Sequence, residues 1–419
     1  MGASNATTGD GGCGGLGARA AGALVPFALW AAAIAVVSAA APYRPALDDP
    51  ELLHLARSLA EHHALATDGP FLRVPLWQLL LGAGFAVAPE RAAVLGLQAA
   101  CVALAFASAN ARRRASWPRA DEAPGVRARI AVFGALALSP QLVLYARHTP
   151  TEIALGALAL AAAALAPRAE PVLASRDTSA PDAARASRAA RSLAPRFLAL
   201  GAVVGAAAMT KAAGAALAIP AAVWALRARG AERFAARVAA PLAAGALAVV
   251  VPLAALALAQ RGAPLDDTSA FNLGALDVDA WLAAGAPPAR SAAALESFRA
   301  ILLADPLGYL GGALERAVEW LLLPSSLELR LWIPEYPALV VEVLDVAAFF
   351  GIATLAVLGT TRASAPEWIL PLALWLACAF PQKTPHTPKV TVAIALAPLA
   401  ARGLASLGRS ARTAAGRAR

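Results

Sequence analysis

Long apolar runs separated by short polar segments recur along the whole chain. A helix needs about 20 apolar residues to cross a bilayer, and a backbone that faces lipid must be helical because no water is present to satisfy its polar groups. We therefore predict about ten membrane-crossing helices, at residues 22–41, 92–109, 130–145, 152–166, 197–210, 213–226, 238–260, 338–358, 368–380 and 390–407.

Composition supports an all-α polytopic integral membrane protein. The chain is 59% hydrophobic and 15% charged, whereas a soluble domain is nearer half apolar and about a quarter charged. The net charge of +9 does not indicate nucleic-acid binding here, because arginine clusters in a membrane protein mark cytoplasmic loops. Cys13, Cys101 and Cys378 predict neither a disulfide framework nor a metal site. We expect no cofactor.

Arginine asymmetry predicts the topology. Four arginine-rich segments are assigned to the cytoplasm, at residues 112–129, 168–196, 227–237 and 402–419. The acid-bearing loops 42–73 and 261–316 then fall outside, as parts of external loops 42–91 and 261–337. The chain passes from the external loop 42–73 to the cytoplasmic segment 112–129, so it must cross the membrane an odd number of times in between. Residues 92–109 supply one crossing, and residues 74–89 are therefore predicted to lie at the external interface.

These assignments divide the chain into three parts. Residues 1–21 are Gly-rich and are predicted to be a disordered cytoplasmic N-terminus. Residues 22–407 form the transmembrane domain, with residues 168–196 as a cytoplasmic linker, and residues 408–419 form a basic cytoplasmic tail. A signal peptide is the alternative for the first apolar run, because Ala39–Ala41 would suit a cleavage site.

The first external loop opens with two adjacent aspartates. Asp49 is followed by proline and glutamate, which predicts a helix start with Asp49 as its cap. The following helix is amphipathic, with leucines on one face and His54 on the other. Capping does not explain Asp48, which is a candidate base for a hydroxyl. Arg73 closes the loop, either as an arginine at a helix end or as a cation beside a lipid phosphate.

Ionisable residues also mark the external turn between the third and fourth predicted spans. Arg147, His148 and Glu152 cluster there, and such groups near membrane depth are a functional-site hypothesis by default. Glu152 also suits the first turn of the helix that follows, because a carboxylate is favourable at a helix N-terminus.

Two further turns carry cations. Lys211 interrupts about thirty apolar residues, which predicts two short helices that meet at an external lysine. Lys211 has no acid near it in sequence, and a lipid-linked phosphate would serve as its partner. Lys383, His386 and Lys389 share a proline-rich external turn that suits a phosphate or an ordinary interfacial anchor.

Taken in order, five segments of the chain resemble the GT-C membrane glycosyltransferases, in the branch of the protein O-mannosyltransferases and the lipid A aminoarabinose transferase. The match covers roughly residues 22–407 and is carried by DDPELLHLARSL with RVPLWQLLLG, SPQLVLYARHTPTEIALGALAL, GAVVGAAAMTKAAGAALAIPA, FRAILLADPLGYLGGALERAVEWLLLP and PHTPKVTVAIALAPLAARGL. The chain departs from the family where Asp-Asp replaces Asp-Glu and where Leu52 replaces a frequent tyrosine. Only the Lys383–His386 turn represents the Arg-Tyr pair that precedes the family's last span.

The resemblance implies roles for individual residues. Asp48 aligns with the catalytic aspartate, Asp49 with its acidic neighbour and Glu152 with the second acidic position. Arg73 and Lys211 align with cations that hold the phosphate of the donor, with Lys383 and His386 in support. His54, Arg147 and His148 are possible substrate contacts.

The resemblance also implies a polyprenyl-phosphate sugar as donor and a protein, lipid or glycan acceptor. We expect metal-independent, inverting transfer at the external face of a bacterial inner membrane, since frequent arginine and rare lysine are typical of GC-rich bacteria. A transporter or flippase for a lipid-linked sugar would use the same cations, with Asp48 as a cap. A non-catalytic membrane scaffold is the third hypothesis.

Overall fold

The computed structural model describes residues 13–40, 43, 49–65, 74–111, 125–149, 151–166, 193–228, 234–261, 299–322, 338–360, 367–379 and 389–417. Within these ranges the ordered elements are helices, and no β-strand occurs. The α-helices are α1 (Cys13–Ala40), α2 (Asp49–His62), α3 (Pro75–Phe85), α4 (Glu90–Ala111), α5 (Val126–Ala137), α6 (Pro140–Tyr145), α7 (Glu152–Leu165), α8 (Leu193–Thr210), α9 (Ala218–Arg227), α10 (Ala240–Arg261), α11 (Pro306–Leu322), α12 (Ala338–Leu358), α13 (Ile369–Ala379) and α14 (Val390–Arg417). A 3-10 helix (Ala212–Leu217) precedes α9, a π-helical turn (Ala235–Ala239) precedes α10, and residues 299–304 are also helical.

The helices confirm a helical membrane protein, while the number of crossings stays a prediction. In the described ranges, six segments are long and apolar enough to cross a bilayer: Ala20–Ala40, Glu90–Ala111, Leu193–Thr210, Ala235–Gln260, Val340–Leu358 and Val390–Thr413. They coincide with six of the ten predicted spans. The other four predicted spans are helical but short or broken, as in α7, α13, the α5–α6 pair and the helices after Lys211.

Two of the breaks are defined by local features. Between α5 and α6, the Ser139 side chain accepts a hydrogen bond from the Leu142 amide and Pro140 occupies the first turn of α6, so a new helix starts there. Between α8 and the 3-10 helix, Lys211 has an extended backbone with φ −153° and ψ 137°. The two helices that the sequence predicts to meet at Lys211 are therefore confirmed.

Helix α2 is amphipathic as predicted, and protein covers its apolar face. Leu52, Leu53 and Ala56 are buried in one cluster with Trp77 of α3 and Val94 of α4. The polar face of α2 is exposed, and Arg57 on that face is ion-paired with the first residue of α4. Helices α2, α3 and α4 therefore form one packed unit, and α2 and α3 belong to the predicted external loop 42–91.

The start of the first helix differs from the sequence prediction. Helix α1 begins at Cys13, so residues 13–21, which are predicted to be disordered, are helical. Extending an existing helix costs much less than nucleating one, because each added residue gains a hydrogen bond for the dihedrals it fixes. The Gly-rich composition therefore does not prevent the first span from continuing toward the N-terminus.

Helix α14 lies at the centre of the bundle. Residues 389–403 are all buried, and α14 packs against α5, α7, α12 and α13. The glycines at its contacts allow the helices to approach closely: a Cβ at Gly156 of α7 would lie 2.8 Å from Ile394, and one at Gly403 would lie 1.8 Å from the Leu355 carbonyl oxygen. Such close approach through small residues is typical of helix packing in membranes.

Candidate functional site

Several of the residues that the sequence singles out lie outside the described residues, namely Asp48, Arg73, Lys383 and His386. The sequence predicts Asp49 as the cap of α2, but Asp49 is the first residue of the helix, one position after the cap position. His54 is exposed on the polar face of α2, and its role as a substrate contact stays a prediction.

The turn between α6 and α7 is buried and held by side chains of neighbouring helices. Arg147, His148 and Thr149 are at most 5% exposed. The Trp77 indole donates to the Thr149 carbonyl at 2.6 Å, and the Gln98 amide donates to the His148 carbonyl at 3.0 Å. These bonds from α3 and α4 satisfy carbonyls that no helix satisfies, so they fix the turn in one position.

The tyrosine ahead of α2 also reaches this turn. The Tyr43 ring lies 5.6 Å from the His148 ring, and the Arg91 guanidinium lies 5.4 Å from the centroid of the Tyr43 ring. A cation over an aromatic face is attracted by the negative face of the ring. The first external loop and the α6–α7 turn, both predicted to be external, are therefore adjacent.

A partly buried ion pair joins two of the predicted site residues, with side chains that are 23% exposed for Lys211 and 9% exposed for Glu152. Glu152 is the first residue of α7, Lys211 lies at the break after α8, and the Lys211 ammonium is hydrogen-bonded to the Glu152 carboxylate through Oε1. No acid lies near Lys211 in sequence, and its partner in the structure comes from 59 positions earlier in the chain. An incoming phosphate would therefore meet a lysine that a carboxylate already neutralises.

Glu152 has further features that matter for binding. Glu152 is 7% exposed, and its second oxygen, Oε2, is buried without a hydrogen-bond partner in the described part of the chain. The Thr391 hydroxyl donates to the Glu152 carbonyl at 2.9 Å, which joins the start of α7 to the start of α14. We call Glu152, Lys211 and Thr391 the polar cluster. A buried carboxylate oxygen that lacks a donor can accept one from a ligand.

A second buried polar group lies beside α14, and two of its members, Gln141 and Asp345, were not predicted from the sequence. Asp345, in the middle of predicted span 338–358, accepts a hydrogen bond from the Gln141 amide at 2.9 Å. Lys389 donates to the Leu321 carbonyl at 2.7 Å, and its ammonium lies 4.9 Å from the Phe349 ring centroid. The signal that could have found Asp345 is the presence of two carboxylates, Glu342 and Asp345, in the apolar run ALVVEVLDVAAFF.

The environment of Lys389 changes its protonation. Lys389 directly precedes the last predicted span and is 2% exposed. Burial lowers the pKa of its ammonium to about 8, although the nearby Asp345 carboxylate acts in the opposite direction. Lys389 is two residues from Thr391 of the polar cluster, so the two polar groups lie at the same end of α14.

The described residues contain no group of three or more His, Cys, Asp or Glu side chains placed to hold a metal ion. No family model, curated protein or solved structure matches the chain.

Proposed function

We propose that the chain is a membrane glycosyltransferase that moves a sugar from a polyprenyl-phosphate donor to an acceptor hydroxyl on the external face of a bacterial membrane. The observation that carries this proposal is the partly buried Glu152–Lys211 pair, which joins the start of α7 to the break after α8. These two residues come from two of the five segments that resemble the GT-C family. Their contact is what a shared site for those segments requires.

The proposed reaction is one displacement at the anomeric carbon. The acceptor oxygen attacks this carbon, the bond from the carbon to the phosphate oxygen breaks, and the polyprenyl phosphate leaves with the electron pair. Asp48 accepts the hydroxyl proton, and Arg73 and Lys211 stabilise the charge that grows on the phosphate. A phosphate is already a good leaving group, so the reaction needs no general acid, and a single displacement inverts the anomeric centre.

Glu152 acts on Lys211 in this scheme. In the resting protein its carboxylate neutralises the ammonium, and the phosphate of the donor replaces or shares that contact. The free oxygen of Glu152 then accepts a hydrogen bond from a donor or acceptor hydroxyl. Carboxylate and phosphate therefore alternate as partners of one lysine.

The proposal is tested by comparing sugar transfer in membranes that carry the wild-type chain, Asp48→Asn or Glu61→Gln. Glu61 is an exposed acid on α2 and serves as the matched control. Removing a general base is expected to reduce transfer by roughly 10²- to 10⁴-fold, while Glu61→Gln keeps it. Mass spectrometry of lipids and glycoproteins from these strains and from a deletion strain measures the product. Full transfer by Asp48→Asn would show that Asp48 is not the general base.

A transporter of lipid-linked sugars is the second candidate. Helices interrupted at membrane depth and buried ionisable pairs are typical of transporters, and Lys211 stands at such an interruption. Proteoliposomes with donor lipid and no acceptor separate the two functions. Lipid movement that is unchanged in Asp48→Asn and lost in Lys211→Met favours the transporter.

A further inference from the structure

Helix α11 exposes a row of large apolar side chains. Leu307, Leu310, Leu314 and Val318 recur at spacings of three and four residues, and all are exposed, Leu307 by 80%. Leu303, in the helical segment before α11, continues the row. Residues at these spacings share one face of an α-helix. This leucine row is therefore one continuous apolar surface along the helix.

The other faces of α11 have different surroundings. Ala313 and Ala317 are fully buried, and their face lies roughly a quarter of a turn from the leucine row. Glu315 and Glu319 are exposed on the opposite side of the row. The helix therefore has one edge against protein, one apolar face that the described protein leaves open, and one acidic face.

Two hydrogen bonds fix the depth of α11 relative to the membrane segments. The Trp375 indole of α13 donates to the Ala317 carbonyl at 3.3 Å, and the Lys389 ammonium donates to the Leu321 carbonyl at 2.7 Å. Trp375 lies one turn inside the apolar helix α13, and Lys389 directly precedes a helix long enough to span the bilayer. Helix α11 is therefore held beside the ends of membrane segments.

The neighbouring helix α13 also exposes apolar side chains. Leu372 and Leu376 of α13 are exposed, and α11 packs against this helix. The exposed side chains of an apolar membrane helix face lipid. A helix with an apolar face and an acidic face that is held beside the ends of membrane segments is suited to lie in the plane of the membrane surface.

We propose that α11 is an in-plane helix whose leucine row inserts among the acyl chains of one leaflet, with Glu315 and Glu319 toward water. The proposal does not rest on the proposed function, because it uses only the exposure and the contacts of α11. It identifies this apolar face as a lipid-binding surface.

The test places spin labels on single cysteines at residues 310, 314 and 318 and, as neighbours in sequence, at residues 315 and 319. The background carries Cys13→Ser, Cys101→Ala and Cys378→Ala, and the protein is reconstituted in phosphatidylethanolamine–phosphatidylglycerol vesicles. We expect the leucine-row labels to be more accessible to oxygen than to a water-soluble nickel chelate, and the acidic-face labels to show the reverse. Nickel access along the row, or no access to either reagent, would overturn the proposal.

A second measurement keeps the native cysteines. Benzoylphenylalanine at residue 314 of the full chain is expected to crosslink to phospholipid in membranes, whereas the same group at residue 315 is not. A crosslink from residue 314 to a second copy of the chain or to another protein would show that protein covers this face and would contradict the proposal.

Discussion

At the scale of single residues, Lys211 and Glu152 lie far apart in sequence and form a partly buried ion pair. Lys211 interrupts a long apolar run and Glu152 belongs to a separate polar turn. Their pairing was not predictable, because sequence distance carries no information about which helices become neighbours. Because of this pair, the Lys211 ammonium already has a carboxylate partner before any phosphate binds.

Breaking the Glu152–Lys211 pair should destabilise the protein. Lys211→Met leaves the Glu152 carboxylate buried without its counter-charge, and the expected cost is about 3 kcal/mol. The double variant Glu152→Gln with Lys211→Met should recover most of this loss, because no charge then remains unpaired. Thermal unfolding in detergent measures both. Equal loss in the single and double variants would mean that the pair is not coupled.

Lys389 should make stability depend on pH. Its folded pKa is lowered to about 8 from an ordinary value of 10.5, so the unfolded chain binds more protons between these values. Stability therefore rises as pH increases from about 8 to about 10.5, and the cost of the buried charge is fully present below pH 8.

Thermal midpoints measured from pH 7 to pH 10 check this dependence. The wild type should gain stability over that range relative to Lys389→Met, which has no charge to lose at this position. Parallel curves for the two proteins would show that Lys389 keeps its ordinary pKa.

At the scale of helices, close packing depends on particular glycines. A Cβ on Gly201 of α8 would lie 2.0 Å from the Leu242 carbonyl oxygen of α10, and one on Gly245 would lie 2.0 Å from the Leu198 carbonyl oxygen. The two contacts are reciprocal and involve backbone atoms, which cannot move aside without separating the helices.

Gly201→Ala should therefore cost about 1–3 kcal/mol, as overpacking does elsewhere. Gly351→Ala on α12 is the matched control, because nothing lies within 4 Å of its added methyl group, and alanine favours a helix by up to about 1 kcal/mol. The thermal midpoints of the two variants should differ in sign relative to the wild type. A neutral Gly201→Ala would mean that α8 and α10 are not held at this distance.

The sequence predicts where helices form, but it does not predict which helices and side chains contact one another. The break at Lys211, the amphipathic α2 and the positions of the apolar helices follow from local composition and spacing, which act over a few residues. The contacts of Thr391 with Glu152 and of Gln141 with Asp345 join residues more than two hundred positions apart. Such contacts depend on how the helices assemble, and no local pattern encodes them.

At the scale of the whole molecule, the topology is the testable property. Residues 112–129 and 168–196 are predicted to be cytoplasmic and residues 261–316 external, and most of these positions lie outside the described residues. Reporter fusions after residues 120 and 180 should fluoresce as cytoplasmic green fluorescent protein, and a fusion after residue 280 should give active alkaline phosphatase. Active phosphatase after residue 180 would reverse the assignment and move Glu152 and Lys211 to the cytoplasmic side.

The position of α14 has a consequence for biosynthesis. This helix fills the middle of the bundle, yet the ribosome makes it after every other helix described here. Before α14 is made, the surfaces of α5, α7, α12 and α13 that pack against it lack this partner. We expect these surfaces to contact lipid or one another in the meantime. A nascent chain halted before residue 390 should accordingly be a preferred substrate of membrane quality-control proteases, even though most of its spans have already been inserted.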